Sequence, residues 1–267
     1  MKNITTASGQ VVAFRPSAPG ASKRAGAETR APLSPTRFQV LEERLACGPS
    51  GFVLHDLYAE SHADVPALQG FALGLAAQAA AGRPVVWIIQ DALRREAGSP
   101  YGPGLNEMGL APGDFVLVRA RDPAALLAAG EEAARAPSVG AVLMAAWGES
   151  PLFNLTASRR LAMAARASGV RLFLARAGAR ATASAADTRW SVGAAPSQTL
   201  EGGAPGRPRF RVGLLRHRGG APPQHWTMEW DREGRSFREQ TSIPGHMVSV
   251  PADGATATLA ALRRRRG

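Results

Sequence analysis

The sequence is nearly without lysine and cysteine. Its lysines are Lys2 and Lys23, and none follows Lys23. A phosphate-binding P-loop places a lysine against the β- and γ-phosphates of a nucleotide, so the body of this chain has no residue for that task. Cys47 is the single cysteine, which excludes an internal disulfide and a cysteine-based zinc site. Near the end of a predicted helix it reads as a small buried apolar group. His55, His62, His217, His225 and His246 lack the HxxxH and HExxH spacings of zinc sites. No Gly-x-Ser-x-Gly nucleophile elbow is present. No apolar stretch approaches the roughly 20 residues of a membrane helix, and no apolar run follows Lys2 as it would in a secretory signal. These absences predict a cytoplasmic protein with no metal and no cofactor.

What the chain does have is arginine, placed unevenly. The formal charge is +11, from 32 basic and 21 acidic residues. Residues 1–158 carry 13 basic and 14 acidic side chains, a net of −1, and residues 159–267 carry 19 and 7, a net of +12. The whole excess therefore begins at Arg159, which predicts contact with nucleic acid or with an acidic partner. A GC-rich coding sequence explains arginine over lysine but not the one-sided placement.

The 267 residues fit one α/β domain with tails. Residues 1–34 are rich in Ala, Ser, Pro and Gly and predict a disordered N-terminal segment. Within it Gln10 to Phe14 is an apolar island, a candidate linear motif. The α/β domain is predicted over 35–231. A helix runs from Ser34 to Cys47 and a strand from Gly51 to Tyr58. Ala59 to Pro66 is a loop, followed by an Ala- and Leu-rich helix over 67–81. Val85 to Ile89 is a buried strand with Gln90 and Asp91 at its end. Asp91 is the one acid placed where an α/β enzyme would put a functional group, but no second catalytic group accompanies it. A loop over 99–110 encloses a short helix. Phe115 to Ala120 is a strand, and Pro123 to Ala136 a helix that opens on proline.

Val139 to Ala146 and Val170 to Ala175 are short charge-free or nearly charge-free apolar runs joined by a helix, the signature of a βαβ unit with parallel strands. Thr156 or Ser158 is predicted to cap that helix, with Leu161, Met163, Ala164, Ala165 and Ala167 on its apolar face and Gly169 as its stop. Arg159 and Arg160 sit near its start, where two cations oppose the helix dipole. Local helix stability gives no reason for them, so they are candidate contacts to a partner or DNA. Thr188 to Ala194, Phe210 to Leu215 and His225 to Trp230 read as later strands, the last antiparallel. Residues 232–267 predict an irregular basic extension ending in Arg263, Arg264, Arg265 and Arg266, which no core can bury and which form a second candidate contact for DNA or an acidic partner.

In an α/β nucleotide-binding domain the phosphate loop follows the first strand. Here that stretch is Asp56 to Pro66. It has no glycine for close backbone approach and carries Asp56, Glu60 and Asp64, which repel phosphate. The strand ending in Trp147 also lacks the aspartate that would hold Mg²⁺.

Several segments together resemble the ImuA family, the RecA-like proteins of bacterial mutagenesis cassettes, which are similar to the SulA division inhibitors. They are Tyr101-Gly102-Pro103-Gly104-Leu105 with Gly109-Leu110, Val116 to Ala120, Leu155 to Leu161 with Ser158, Arg159 and Arg160, Arg189-Trp190 to Ser197, and Arg209 to Gly219. They span roughly residues 50 to 235 of the sequence. The resemblance implies a RecA-like three-layer core with a mostly parallel sheet and antiparallel strands toward the C-terminus. It implies a non-enzymatic accessory of the SOS response in translesion synthesis. The implied partners are an ImuB-like inactive relative of Y-family polymerases, an error-prone replicative-type polymerase, and RecA, with association at the nucleoid. A second reading is a SulA-like inhibitor of cell division acting on a tubulin-like GTPase.

Overall fold

The computed structural model describes residues 3–6, 9–12, 51–204 and 206–240. Eleven strands form one sheet: β1 (Asn3–Thr6), β2 (Gly9–Val12), β3 (Leu54–Ala59), β4 (Val85–Gln90), β5 (Phe115–Ala120), β6 (Ala141–Trp147), β7 (Arg171–Ala177), β8 (Thr188–Ala195), β9 (Arg209–His217), β10 (Gln224–Asp231) and β11 (Ser236–Glu239). Five α-helices accompany them among the described residues: α1 (Val65–Ala80), α2 (Asp91–Ala97), α3 (Gly102–Glu107), α4 (Pro123–Arg135) and α5 (Leu155–Ser168).

The sheet order is β1-β2-β5-β4-β6-β7-β3-β8-β9-β10-β11. The run from β5 to β8 is parallel, and β9, β10 and β11 extend it antiparallel. This is the α/β architecture read from the alternation of strands and helices. It has three layers, because successive strand residues point to opposite faces. On one face Leu57, Trp87, Leu143 and Phe173 meet α1 and the segment around α3. On the other, Leu54, Ile88, Met144 and Leu172 meet α4 and α5.

Both ends of the sheet differ from the sequence reading. Residues 3–6 and 9–12 lie within the segment expected to be disordered, yet they form a hairpin whose second strand pairs antiparallel with β5, Val11 opposite Val118. Gln10 to Val12 of the candidate linear motif are thus strand residues. At the other end the extension expected to be irregular from 232 onward begins with β11, paired antiparallel with β10. The predicted helix over 34–47, Cys47, His246 and Arg263 to Arg266 lie outside the described residues.

α1 has no charged side chain and is apolar around most of its circumference, the pattern of a helix buried on several sides. The antiparallel strands curl over it. Phe237 of β11 lies 4.7 Å from Phe71 and 4.8 Å from Trp230, ring centre to ring centre. Gly74 faces that cluster: a Cβ there would stand 2.6 Å from the Phe237 ring and 2.9 Å from Trp230. The Trp230 indole in turn donates to the Met108 carbonyl at 2.7 Å, tying the α3 segment to the end of β10.

Candidate interaction surface

α5 is built differently from the prediction in two respects. Its cap is Asn154, whose side chain accepts from the Ala157 amide at 3.0 Å, rather than Thr156 or Ser158. Its buried face is Leu161, Ala162, Ala164 and Ala165, while Met163 is 69% exposed and Ala167 is exposed. The helix therefore turns Met163 outward, on the side that carries Arg159. Gly169 stops it in the left-handed conformation, as the sequence predicts.

The Ser158 to Leu161 motif divides cleanly. Ser158 is buried; its hydroxyl donates to the Leu155 carbonyl at 3.0 Å and accepts from the Ala185 amide at 2.9 Å, fastening α5 to the segment before β8. Leu161 is buried in the core. Arg159 and Arg160 point outward and are exposed. Arg160 reaches Glu131 of α4 at 2.6 Å, and Arg135 pairs with the same carboxylate. Arg159 makes no ion pair among the described residues. Between the two helices runs a groove of ≈ 320 Å³, with Leu127 and Leu161 in its floor and Leu152, Glu131 and Arg160 at its rim.

Beneath the start of α5 lies a polar cluster that sequence reasoning missed. Asp56 of β3 is buried and accepts a hydrogen bond from Ser184, with the Arg189 guanidinium 3.8 Å away. Burial pushes the Asp56 carboxyl up, against the Ser184 hydrogen bond and the charges of Arg189 and Arg176. Arg176 is buried too, its guanidinium 4.2 Å from the centre of the Phe153 ring, and burial lowers its pKa. The cavity among them is ≈ 10 Å³, room for one water and not for an organic ligand. The cluster is a buried tie between β3, β7 and β8. Asp56 is a strand residue, within the strand predicted over 51–58, and so does not stand in the loop position from which a carboxylate repels phosphate.

The stretch where a phosphate loop would stand is closed by its own residues. After β3, Ser61 and Asp64 hydrogen-bond each other at 2.6 Å across a 3-10 turn, and Asp64 also accepts from the Ala194 amide at 2.8 Å. These hydrogen bonds hold the Asp64 carboxyl below its usual range. Glu60 pairs with Arg211. His62 stands edge-on to Trp147 at the end of β6, ring centres 5.0 Å apart, and Gln90 at the end of β4 accepts from the Trp147 amide. Asp91 opens α2 and is held by Arg94 and Arg119, each at 3.1 Å. Trp190, Trp226 and Trp230 are core residues. Among the described residues no His, Cys, Asp or Glu cluster could hold a metal ion, and no helix is long and apolar enough to cross a membrane.

The Tyr101 to Leu105 motif lies in and just before α3. Tyr101 is 71% exposed, and Leu105 packs against the core. Neither Gly102 nor Gly104 is demanded by crowding, since a Cβ would meet nothing closer than 3.6 Å at either. Gly109 is demanded: its φ is 73°, and a Cβ would stand 2.3 Å from the Arg232 carbonyl oxygen.

No family model matches the chain. It is 33% identical over 192 residues to Protein ImuA of Caulobacter vibrioides, from strain NA1000 / CB15N and equally from strain ATCC 19089 / CB 15, which covers 65% of this chain and 72% of each relative. Among solved structures, SulA from Pseudomonas aeruginosa is matched over 46% of this chain and 98% of its own, at 20% identity and a TM-score of 0.35, a likeness that decides nothing about function. The identity to the Caulobacter proteins runs over most of both sequences, and the chain belongs to the ImuA family.

Proposed function

We propose that this chain is a non-catalytic accessory protein of DNA-damage-induced, error-prone translesion synthesis, acting through contacts with an ImuB-type polymerase relative and with RecA. The observation that carries the proposal is the outward pair Arg159 and Arg160. They lie in a motif whose other members, Ser158 and Leu161, are consumed by the fold. The pair has no such duty beyond the exposed contact of Arg160 with Glu131, which adds little stability. A partner surface is the use that remains.

The non-catalytic part of the reading has its own support. A lysine-free phosphate position with carboxylates at Glu60 and Asp64, each already engaged, supports a RecA-like domain used as a scaffold. The arginines at 263–266 supply a further contact to DNA phosphate or to an acidic segment. If they bind duplex DNA, each neutralised phosphate contributes about −0.9 to the slope of log K against log salt, with little sequence preference.

The test is affinity capture with the full chain from DNA-damaged cells, beside calorimetry with ATP. Recovery of polymerase-type partners and RecA, with no nucleotide heat, supports the proposal. Recovery of a tubulin-like GTPase instead, or stoichiometric ATP binding, overturns it.

A further inference from the structure

The two ends of the sheet are finished differently. At one end β11 is short and carries Arg238 and Glu239, charges that discourage another strand from pairing there. At the other, the parallel run ends on β5, Phe-Val-Leu-Val-Arg-Ala, whose one charge, Arg119, is taken up by Asp91. β4 pairs with β5 at all six positions on its inner side. On the outer side β2 faces it at Leu117 and Val118, so among the described residues Phe115, Val116, Arg119 and Ala120 have no partner strand there. A long apolar edge of this kind is a template for strand pairing. β2 is a lightly held cover for it. Among the described residues it pairs with β5 and β1 alone, and a two-stranded hairpin is marginal by itself. The chain does not tether it tightly either. From β2 to β3 is five strand spacings, about 24 Å, and residues 13–50 between them reach about 130 Å when extended.

We propose that the β5 edge is a docking site for an extended, apolar, β-branched segment of a protein partner, and that the N-terminal hairpin gates this site in cis. This names the chemistry of one contact and rests on the reading of the chain as a partner-binding accessory. β2 is the resident example of what the edge accepts: a Gly-Gln-Val-Val strand, antiparallel to β5. A partner strand in register along more of β5 makes more ladder hydrogen bonds than β2 does and displaces it, with main-chain bonds supplying affinity. The side chains beside the edge set the selectivity. Leu117 packs on the core of the α1 face, and Val116 and Val118 on that of the α4 face, so both faces call for apolar residues opposite, as Val12 and Val11 stand opposite Leu117 and Val118.

The test compares three forms of the full chain. Val11→Pro/Val12→Pro removes whichever of the two amides donates to β5 and opens the edge. Val11→Cys/Val118→Cys, with Cys47→Ser, joins two directly opposite residues by a disulfide and locks the cover in place. Wild type is the third, and melting temperatures confirm that the variants fold. A phage-displayed library of random peptides is selected on the open form and counter-selected on the oxidised locked form. Enriched peptides should carry consecutive apolar or β-branched residues without proline. In fluorescence anisotropy they should bind the open form roughly tenfold or more tightly than wild type, and the locked form not at all. Methylating alternate backbone amides along one edge of a peptide should abolish its binding. The proposal is overturned if the disulfide does not close within one chain, if peptides bind the locked form as well as the open one, or if wild type binds as tightly as the open form. Binding indifferent to amide methylation overturns it as well. The cellular capture fails or succeeds independently, because the selection requires no cellular partner.

Discussion

α1 and α5 are both crossover helices of one parallel sheet, on opposite faces, and they are used in opposite ways. Most features of α1 have a packing reason. It has no charge, most of its residues are buried, and Gly74 makes room for Trp230 and Phe237. α5 gives only part of itself to the core. Ser158, Leu161, Ala164 and Ala165 face inward, while Arg159, Arg160 and Met163 face solvent. α1 spends most of its residues on packing, whereas α5 leaves a whole face of its residues outside the core.

The comparison is sharpened first at Trp230, which closes α1. Trp230→Ala removes a fully buried ring and the hydrogen bond to Met108, so a loss of about 4 kcal/mol is expected from chemical denaturation. A loss below about 1 kcal/mol would mean that the curled strands do not hold α1.

His55, on the α1 side of β3, gives the second break point. It is fully buried, stacked on Phe173, with Nδ1 2.7 Å from Thr188 Oγ1. Burial lowers its pKa from 6.5 to about 3. The unfolded chain therefore takes up a proton below pH 6.5 that the folded chain refuses until about pH 3, and stability falls as pH falls through that window. The slope is about 1.4 kcal/mol per pH unit, or roughly 2 kcal/mol by about pH 5. In His55→Leu this component should be absent from a pH series of denaturation curves. Parallel wild-type and variant profiles would show that the ring is charged in the fold.

On the α5 side smaller effects are expected. Asn154→Ala removes the cap and should lower stability by about 1 kcal/mol, whereas Thr156→Ala, at an exposed position, should change little. Arg159→Ala/Arg160→Ala should move thermal stability by less than about 0.5 kcal/mol, because its one ion pair is exposed. A double variant that unfolds would make the arginines part of the fold and erase the contrast with α1.

Elements whose identity depends on local pattern were legible in the sequence. β5 has the predicted bounds Phe115–Ala120, and β6, α5 and β7 form the predicted parallel βαβ unit. The all-round apolar character of α1 was visible as composition, but its cause was not. The enclosing residues, Trp230 and Phe237, come from strands much later in the chain, and one of them lies where an irregular tail was expected. The facing of Met163 was missed because period alone leaves the edge of an apolar stripe open, and the packing of α5 on α4 settled it. The Asp56, Arg176 and Arg189 cluster was out of reach because β3 pairs between β7 and β8, a neighbour relation set by sheet order and invisible to local spacing. Arg159 and Arg160 stood out as cations in a first turn, but α5 begins at Leu155 and places them in its second turn, where the dipole effect has fallen off.

The curl of the last strands over α1 has a consequence for biosynthesis. The helix emerges from the ribosome long before β10 and β11, the strands that bury its outer side. Until they arrive, Phe71 and its neighbours wait as exposed hydrophobic surface, and the contacts that cover them close a very long chain loop, which slows folding. A chain truncated after β8 would therefore keep the outer side of α1 bare.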